Sequence, residues 1–194
     1  MIFRDPARTV VLSYSKPLPS PLPSDQLHGL LNKGPDTRGR LMIALVTIHA
    51  LQTGDLRRLL IDDLDRSTGR LSVRRAGHAD HIVYLDETTL GLATAWIAER
   101  TRRWPRTTNP YLFVTRVSAA SDRNPTISKQ AFVATFRENG LQPSKLREDR
   151  ILDEAKETAD PVHLMRVFGL SDATAVRYVA AAHPADIRPD PIAP

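Results

Sequence analysis

The chain of 194 residues contains no cysteine. That excludes disulfides, thiolate metal sites and cysteine nucleophiles, and it fits a cytoplasmic protein. Long hydrophobic runs are also missing, so no segment reads as a membrane span. The start "MIFRDPART" lacks the apolar core of a signal peptide. No glycine-rich phosphate loop occurs and no Ser-His-Asp grouping stands out, so neither nucleotide hydrolysis nor serine hydrolysis has a motif to rest on. Lysine is scarce: five of the 27 basic residues are lysine and the other 22 are arginine.

What is present is basic and largely helical in pattern. The net charge is +5 and 41% of residues are hydrophobic. An anionic partner suits such a chain, and arginine suits bidentate contact with phosphate and guanine. The segment "KPLPSPLPS" reads as an extended, proline-rich linker. Residues 1–23 are therefore assigned to an N-terminal segment, 24–184 to one domain and 185–194 to a tail rich in proline.

Within the domain, Ser24 caps a helix over "DQLHGLLNK". "LMIALVTIHAL", residues 41–51, is apolar nearly all round and reads as a buried helix. "TGDLRRLLIDDLD" places Leu56, Leu59 and Leu60 at helical spacing. "GRLSVRR" and "HIVYLD", separated by "AGHAD", read as a β-hairpin. Helices follow over "LGLATAWIAERTRRW", "SKQAFVATFRENG" and "KLREDRILDEAKETA", with an extended "NPYLFVT" between the first two. "PVHLMRVFGLSDATAVRYVAAAH" reads as helix, turn, helix. The sum is a mostly α, α+β domain with a small antiparallel hairpin sheet.

Three local patterns, "ALQTGDLRRLLIDDLD", "SKLR" and "FGLSDATAVRYV", sit in this order around the hairpin. Together they resemble the catalytic domain of tyrosine recombinases, the phage-integrase family, over residues 22–184. The arginine-rich text and "REDRILDEA" resemble a divergent actinobacterial integrase-like branch. The resemblance implies DNA breakage through a phosphotyrosyl ester, with arginines holding the phosphate, a hairpin lysine protonating the leaving oxygen, and no metal or other cofactor.

On that resemblance Tyr178 matches the nucleophile and Arg147 a phosphate-binding arginine. The remaining positions are substituted. Gln52 stands in place of the first arginine, Ala76 of the hairpin lysine, Ser144 of the histidine in His-x-x-Arg and Leu170 of the histidine in Leu-Gly-His. The interval from Gly169 to Tyr178 is also about one residue short. The implied product is a degenerate site on a DNA-binding domain. Arg74, Arg75, Lys145, Arg150, Thr174 and Arg177 are its candidate DNA contacts.

Other readings of the same residues stay open. Gly169 at a turn and Ser171 or Asp172 as a cap also fit a helix-turn-helix regulator over residues 162–182, with Thr174 and Arg177 facing a groove. In another, Tyr178 packs on its helix with Val179 and Leu164 while Arg147 pairs with Glu148 or Asp149. A further reading is an interaction remnant that has lost DNA binding and pairs with an intact recombinase; a homo-oligomer is the other candidate assembly. "HADH" offers His78 and His81 near an acid, but no third ligand, so no metal site is assigned. The expected partner is double-stranded DNA, with no membrane association, in the cytoplasm at the nucleoid.

Overall fold

The computed structural model describes residues 29–75 and 80–184. The linker, the tail, Ala76 and His78 lie outside the described residues.

The polypeptide is organised around one buried helix. Asp36 accepts a hydrogen bond from Gly39 N at 2.7 Å and so starts α1, Thr37–Thr47, four residues before the apolar run. Leu41, Met42, Ile43, Ala44, Leu45 and Val46 are all buried. Each large side chain among them contributes about 1.5–3 kcal/mol through burial. The helix ends before residue 51, where the sequence suggests. Ala50 takes a left-handed φ of 50° and Leu51 N bonds back to Leu45 O at 3.0 Å, closing the C-terminus.

The next stretch departs further from its helical spacing. Only α2, Thr53–Leu56, is helical, and a 3-10 turn follows at Ile61–Asp63. Between them the backbone is claimed by a distant segment. Leu112 N donates to Leu59 O at 2.7 Å and Ile61 N to Pro110 O at 2.9 Å, with a bridge between Leu60 and Tyr111. The leucines are spaced for a helix face, but tertiary hydrogen bonds win.

A three-stranded antiparallel sheet follows: β1, Leu64–Asp65; β2, Arg70–Val73; β3, His81–Tyr84, in the order β1-β2-β3. Leu71 faces Val83 and Ser72 faces Ile82 in the hairpin register. Leu71, Val73 and Val83 are buried beneath it. The hairpin appears where the β-branched text places it; β1 is an addition.

Helix α3, Glu87–Arg103, is capped by Asp86. It buries Trp96, whose indole Nε1 donates to Leu112 O at 2.9 Å. The single turn α4, Arg116–Ala119, leads to α5, Lys129–Arg137, capped by Ser128. Helix α6, Pro143–Thr158, opens on proline at its first position. Helices α7, Pro161–Phe168, and α8, Asp172–Ala182, are joined at Gly169, which has φ 58° and ψ 42°.

Two cores result. The larger packs α1, α3, the sheet and α5 together through residues such as Leu41, Val73, Trp96 and Phe132. The smaller holds Ile151, Ala155, Leu164, Phe168 and Ala175 between α6, α7 and α8, with Tyr178 and Leu170 against it. None of the described helices is long and apolar enough to cross a membrane.

Candidate DNA-phosphate site

The site lies where the hairpin meets the smaller core. Arg147 is on the second turn of α6 and is partly buried. Tyr178 lies in the middle of α8, and its ring packs against the cluster around Leu164 and Phe168. The two side chains come close enough to perturb each other's ionisation. Burial is the larger effect on both. It lowers the proton affinity of the Arg147 guanidinium, with the Tyr178 phenol opposing the shift and Arg75 reinforcing it. It raises the Tyr178 hydroxyl above its usual value, against the pull of Arg147. The phenol is thus held neutral and would need a base before it could attack phosphorus.

Arg75 approaches from the far side of the sequence. It follows β2, and its Nη2 donates to Phe168 O at 3.2 Å while Nη1 donates to Gly169 O. His81 on β3 places Nε2 at 3.1 Å from Val167 O. Three consecutive carbonyls at the end of α7 are therefore met by hairpin side chains. A helix C-terminus is where cationic groups are favoured.

Asp55 is the residue that the sequence reading missed. Its carboxylate holds Arg58 at 2.7 Å and contributes favourably to both Arg147 and His81. Its position three residues beyond Gln52, in the first turn of α2, was the available signal. A cavity of about 380 Å³ opens beside this group, lined by Asp55, Arg58, Leu59, Leu60, Asp63, Arg74, Arg75 and Tyr111.

The other sequence candidates fall around this centre. Gln52 is exposed at the N-cap of α2, one turn before Asp55. Ser144 is exposed in the first turn of α6, one turn before Arg147, and Lys145 beside it is half-buried. Leu170 packs against the smaller core with Tyr178. Arg74 is exposed and paired with buried Asp63 at 2.6 Å. The Arg150 guanidinium turns inward: Nε donates to Ile48 O at 3.2 Å, Nη2 bonds Glu154 at 2.7 Å, and the group lies 5.4 Å from the Phe168 ring centroid. Thr174 Oγ1 lies 2.9 Å from Ser171 Oγ, and Arg177 is exposed on α8.

A mostly helical domain that carries Arg147 on α6 and Tyr178 on α8 with a small hairpin sheet has the tyrosine-recombinase fold. The chain superimposes on a crystal structure of XerA recombinase with a TM-score of 0.68 at 20% identity, over 90% of this chain and 67% of that one. The post-cleavage complex of XerH with its palindromic difH substrate gives 0.67 at 18%, over 87% and 51%. The Tn1549 transposon integrase bound to transposon right-end DNA gives 0.61 at 15%, over 92% and 68%. The chain thus spans between about half and two thirds of the length of these structures. No family model matches the sequence, and no curated protein does.

Proposed function

We propose that this chain is a DNA-binding domain of the tyrosine-recombinase type, serving DNA recombination or mobile-element maintenance, with impaired strand cleavage. The observation that carries the reading is the mutual electrostatic influence of Arg147 and Tyr178, with Arg75 and Asp55 also acting on Arg147; Arg75 and Asp55 line a cavity with Arg58 and Arg74. Solved structures of the same fold include complexes with DNA.

The impairment follows from what surrounds the tyrosine. Attack on a phosphodiester places charge on the non-bridging oxygens and on the leaving 5′ oxygen. Gln52, Ser144 and Leu170 bring neither cation nor proton donor of the required strength to that centre. Each lost preorganised donor costs about 10²–10³ in rate, although such losses do not simply multiply. Burial also keeps the phenol protonated. Binding is retained in this reading while chemistry is lost, which suits recognition or assembly in partnership with an intact recombinase or a second copy.

A second reading has α7 and α8 acting as a helix-turn-helix reader in a non-enzymatic regulator. The left-handed Gly169 between the helices and the exposed Arg177 favour it. Duplex binding followed by fluorescence anisotropy tests both. The recombinase-type reading requires affinity that falls with rising salt and drops for Arg147→Gln. Wild-type affinity in that variant, with loss on Arg177→Ala, would transfer the function to α8. No duplex binding at low salt would remove both.

A further inference from the structure

The small sheet has two unlike faces. Leu71 and Val73 on β2, and His81 and Val83 on β3, are buried, and His81 reaches Val167 O from that side. Successive side chains on a strand point opposite ways. Arg70, Ser72, Ile82 and Tyr84 therefore share the outer face, where Arg70 and Tyr84 are exposed and Ser72 and Ile82 half-buried. Tyr84 is 71% exposed and is the one aromatic ring among the large exposed hydrophobic side chains of the described residues.

Arg70 and Tyr84 are direct partners across β2 and β3, which sets their Cβ atoms about 4.5–5.5 Å apart. Neither side chain has a hydrogen bond, ion pair or ring contact among the described residues. Asp65 completes the row on the other side of Arg70. Its carboxylate accepts from Ser67 N, Ser67 Oγ and Thr68 Oγ1 at 2.9, 2.6 and 2.7 Å, so it serves its own turn and leaves Arg70 to solvent. Arg74, one residue past β2, is exposed and lines the cavity with Arg75 and Tyr111.

We propose that the outer face of the sheet binds unpaired DNA strand, with Tyr84 stacking on a base and Arg70 meeting the neighbouring phosphate. The proposal rests on the DNA-binding reading and adds to it a second surface, on the face of the hairpin opposite the His81 contact with α7. Ring and cation together select this occupant. In a duplex the base faces are already stacked on one another, whereas an unpaired base offers its face to an aromatic side chain whatever its sequence. The arginine beside the ring attracts the backbone and can itself stack on a base plane. An acidic protein segment would meet the cation but gain little from the open ring. Arg74 makes the platform continuous with the cavity beside the candidate site.

The test uses the full chain with labelled oligothymidylate, and a labelled duplex of the same length beside it, each followed by fluorescence anisotropy at low salt. The wild type should bind the single strand. Tyr84→Ala should weaken that binding about tenfold, within the range for one base stacked on an aromatic side chain, and leave duplex affinity unchanged. Tyr84→Phe should keep wild-type affinity, because the ring stacks without its hydroxyl. Arg70→Gln should reduce the slope of log K against log salt for the single strand by about 0.7, the value for one phosphate. Should Tyr84→Ala unfold at a lower temperature than the wild type, Tyr84→Thr, which keeps strand propensity, takes its place.

Unchanged single-strand affinity in Tyr84→Ala overturns the proposal. An equal loss in Tyr84→Phe does so too, since it would assign the effect to the hydroxyl, and so does an equal loss of duplex affinity in Tyr84→Ala. Competition by polyglutamate as strong as by the oligonucleotide at matched charge would make the face a site for acidic protein. Self-association in sedimentation that disappears in Tyr84→Ala, with no single-strand binding, would make it a contact between copies. A single-strand complex that depends on Tyr84, without any duplex binding, would sink the duplex-binding reading and keep the platform. Duplex binding sensitive to Arg147→Gln, with no single-strand binding, would do the reverse.

Discussion

The guanidinium of Arg75 occupies the space that a side chain on residue 169 would need, and bonds to the Gly169 carbonyl. The hairpin is thereby tied to the end of α7, at the turn that leads into the helix carrying Tyr178. Gly169 also has φ 58°, a conformation that costs a non-glycine residue about 1–2 kcal/mol. Gly169→Ala should destabilise the domain by at least that amount in denaturant unfolding, because the Arg75 contact is lost in addition. A loss under 0.5 kcal/mol, taken as roughly the error of such measurements, would show that the hairpin is not anchored there.

The opposite substitution is expected to help at the end of α6. Ala159 is exposed and has φ 49° at the C-cap. Ala159→Gly removes the left-handed penalty of about 1–2 kcal/mol against a glycine entropy cost of about 0.5–1 kcal/mol. The net expectation is a modest gain in stability, read as a higher denaturant midpoint at unchanged slope.

Arg150 separates a folding role from a binding role. Its bonds to Ile48 O and Glu154, and its position over Phe168, tie α6 to the end of α1 and to α7. Arg150→Ala should lower stability by about 1.5–3 kcal/mol, the range for a hydrogen bond to a charged group. Its effect on duplex affinity should be smaller than that of Arg147→Gln when both are compared well below their unfolding midpoints. The reverse ordering would make Arg150 a phosphate contact.

Two histidines, His81 buried and His49 half-buried, set a pH dependence. Burial lowers His49 and His81 from the ordinary value of 6.5, with Asp86 opposing the shift on His49, and Arg75 adding to it on His81. A depressed folded value means that the unfolded chain binds more protons below pH 6.5. The stabilising contribution is therefore complete above pH 6.5 and is lost as pH falls through the folded values. Denaturant unfolding from pH 7.5 to 5.5 should show falling stability, with a shallower fall in His81→Gln. The lowered carboxylates Asp65 and Glu154 titrate in a more acidic range and leave this window clear.

Much of the fold is legible in the sequence because local signals agree. Asp86, Ser128 and Asp160 cap their helices through side-chain hydrogen bonds, and Pro143 opens α6 at its first position. The turn at Gly169 is readable for the same reason. The segment after Leu56 is not, since its leucine spacing fits a helix and only the pairing with residues 110–112 unwinds it. Tyr178 and Arg147 could be matched to a family pattern. The positions of Arg75 and Asp55 could not, because they depend on the hairpin and α2 docking against distant helices. Arg150 reads like its basic neighbours in the sequence, and only the packing of α1 against α6 turns it inward.

Reversible binding of duplex without strand cleavage is tested with a suicide DNA substrate. Such a nicked duplex traps any phosphotyrosyl ester as a covalent complex visible after denaturation. The prediction is a duplex bound reversibly, with no adduct on the time scale of an active recombinase and no difference between wild type and Tyr178→Phe. An adduct that forms with the wild-type chain and disappears in Tyr178→Phe would contradict it.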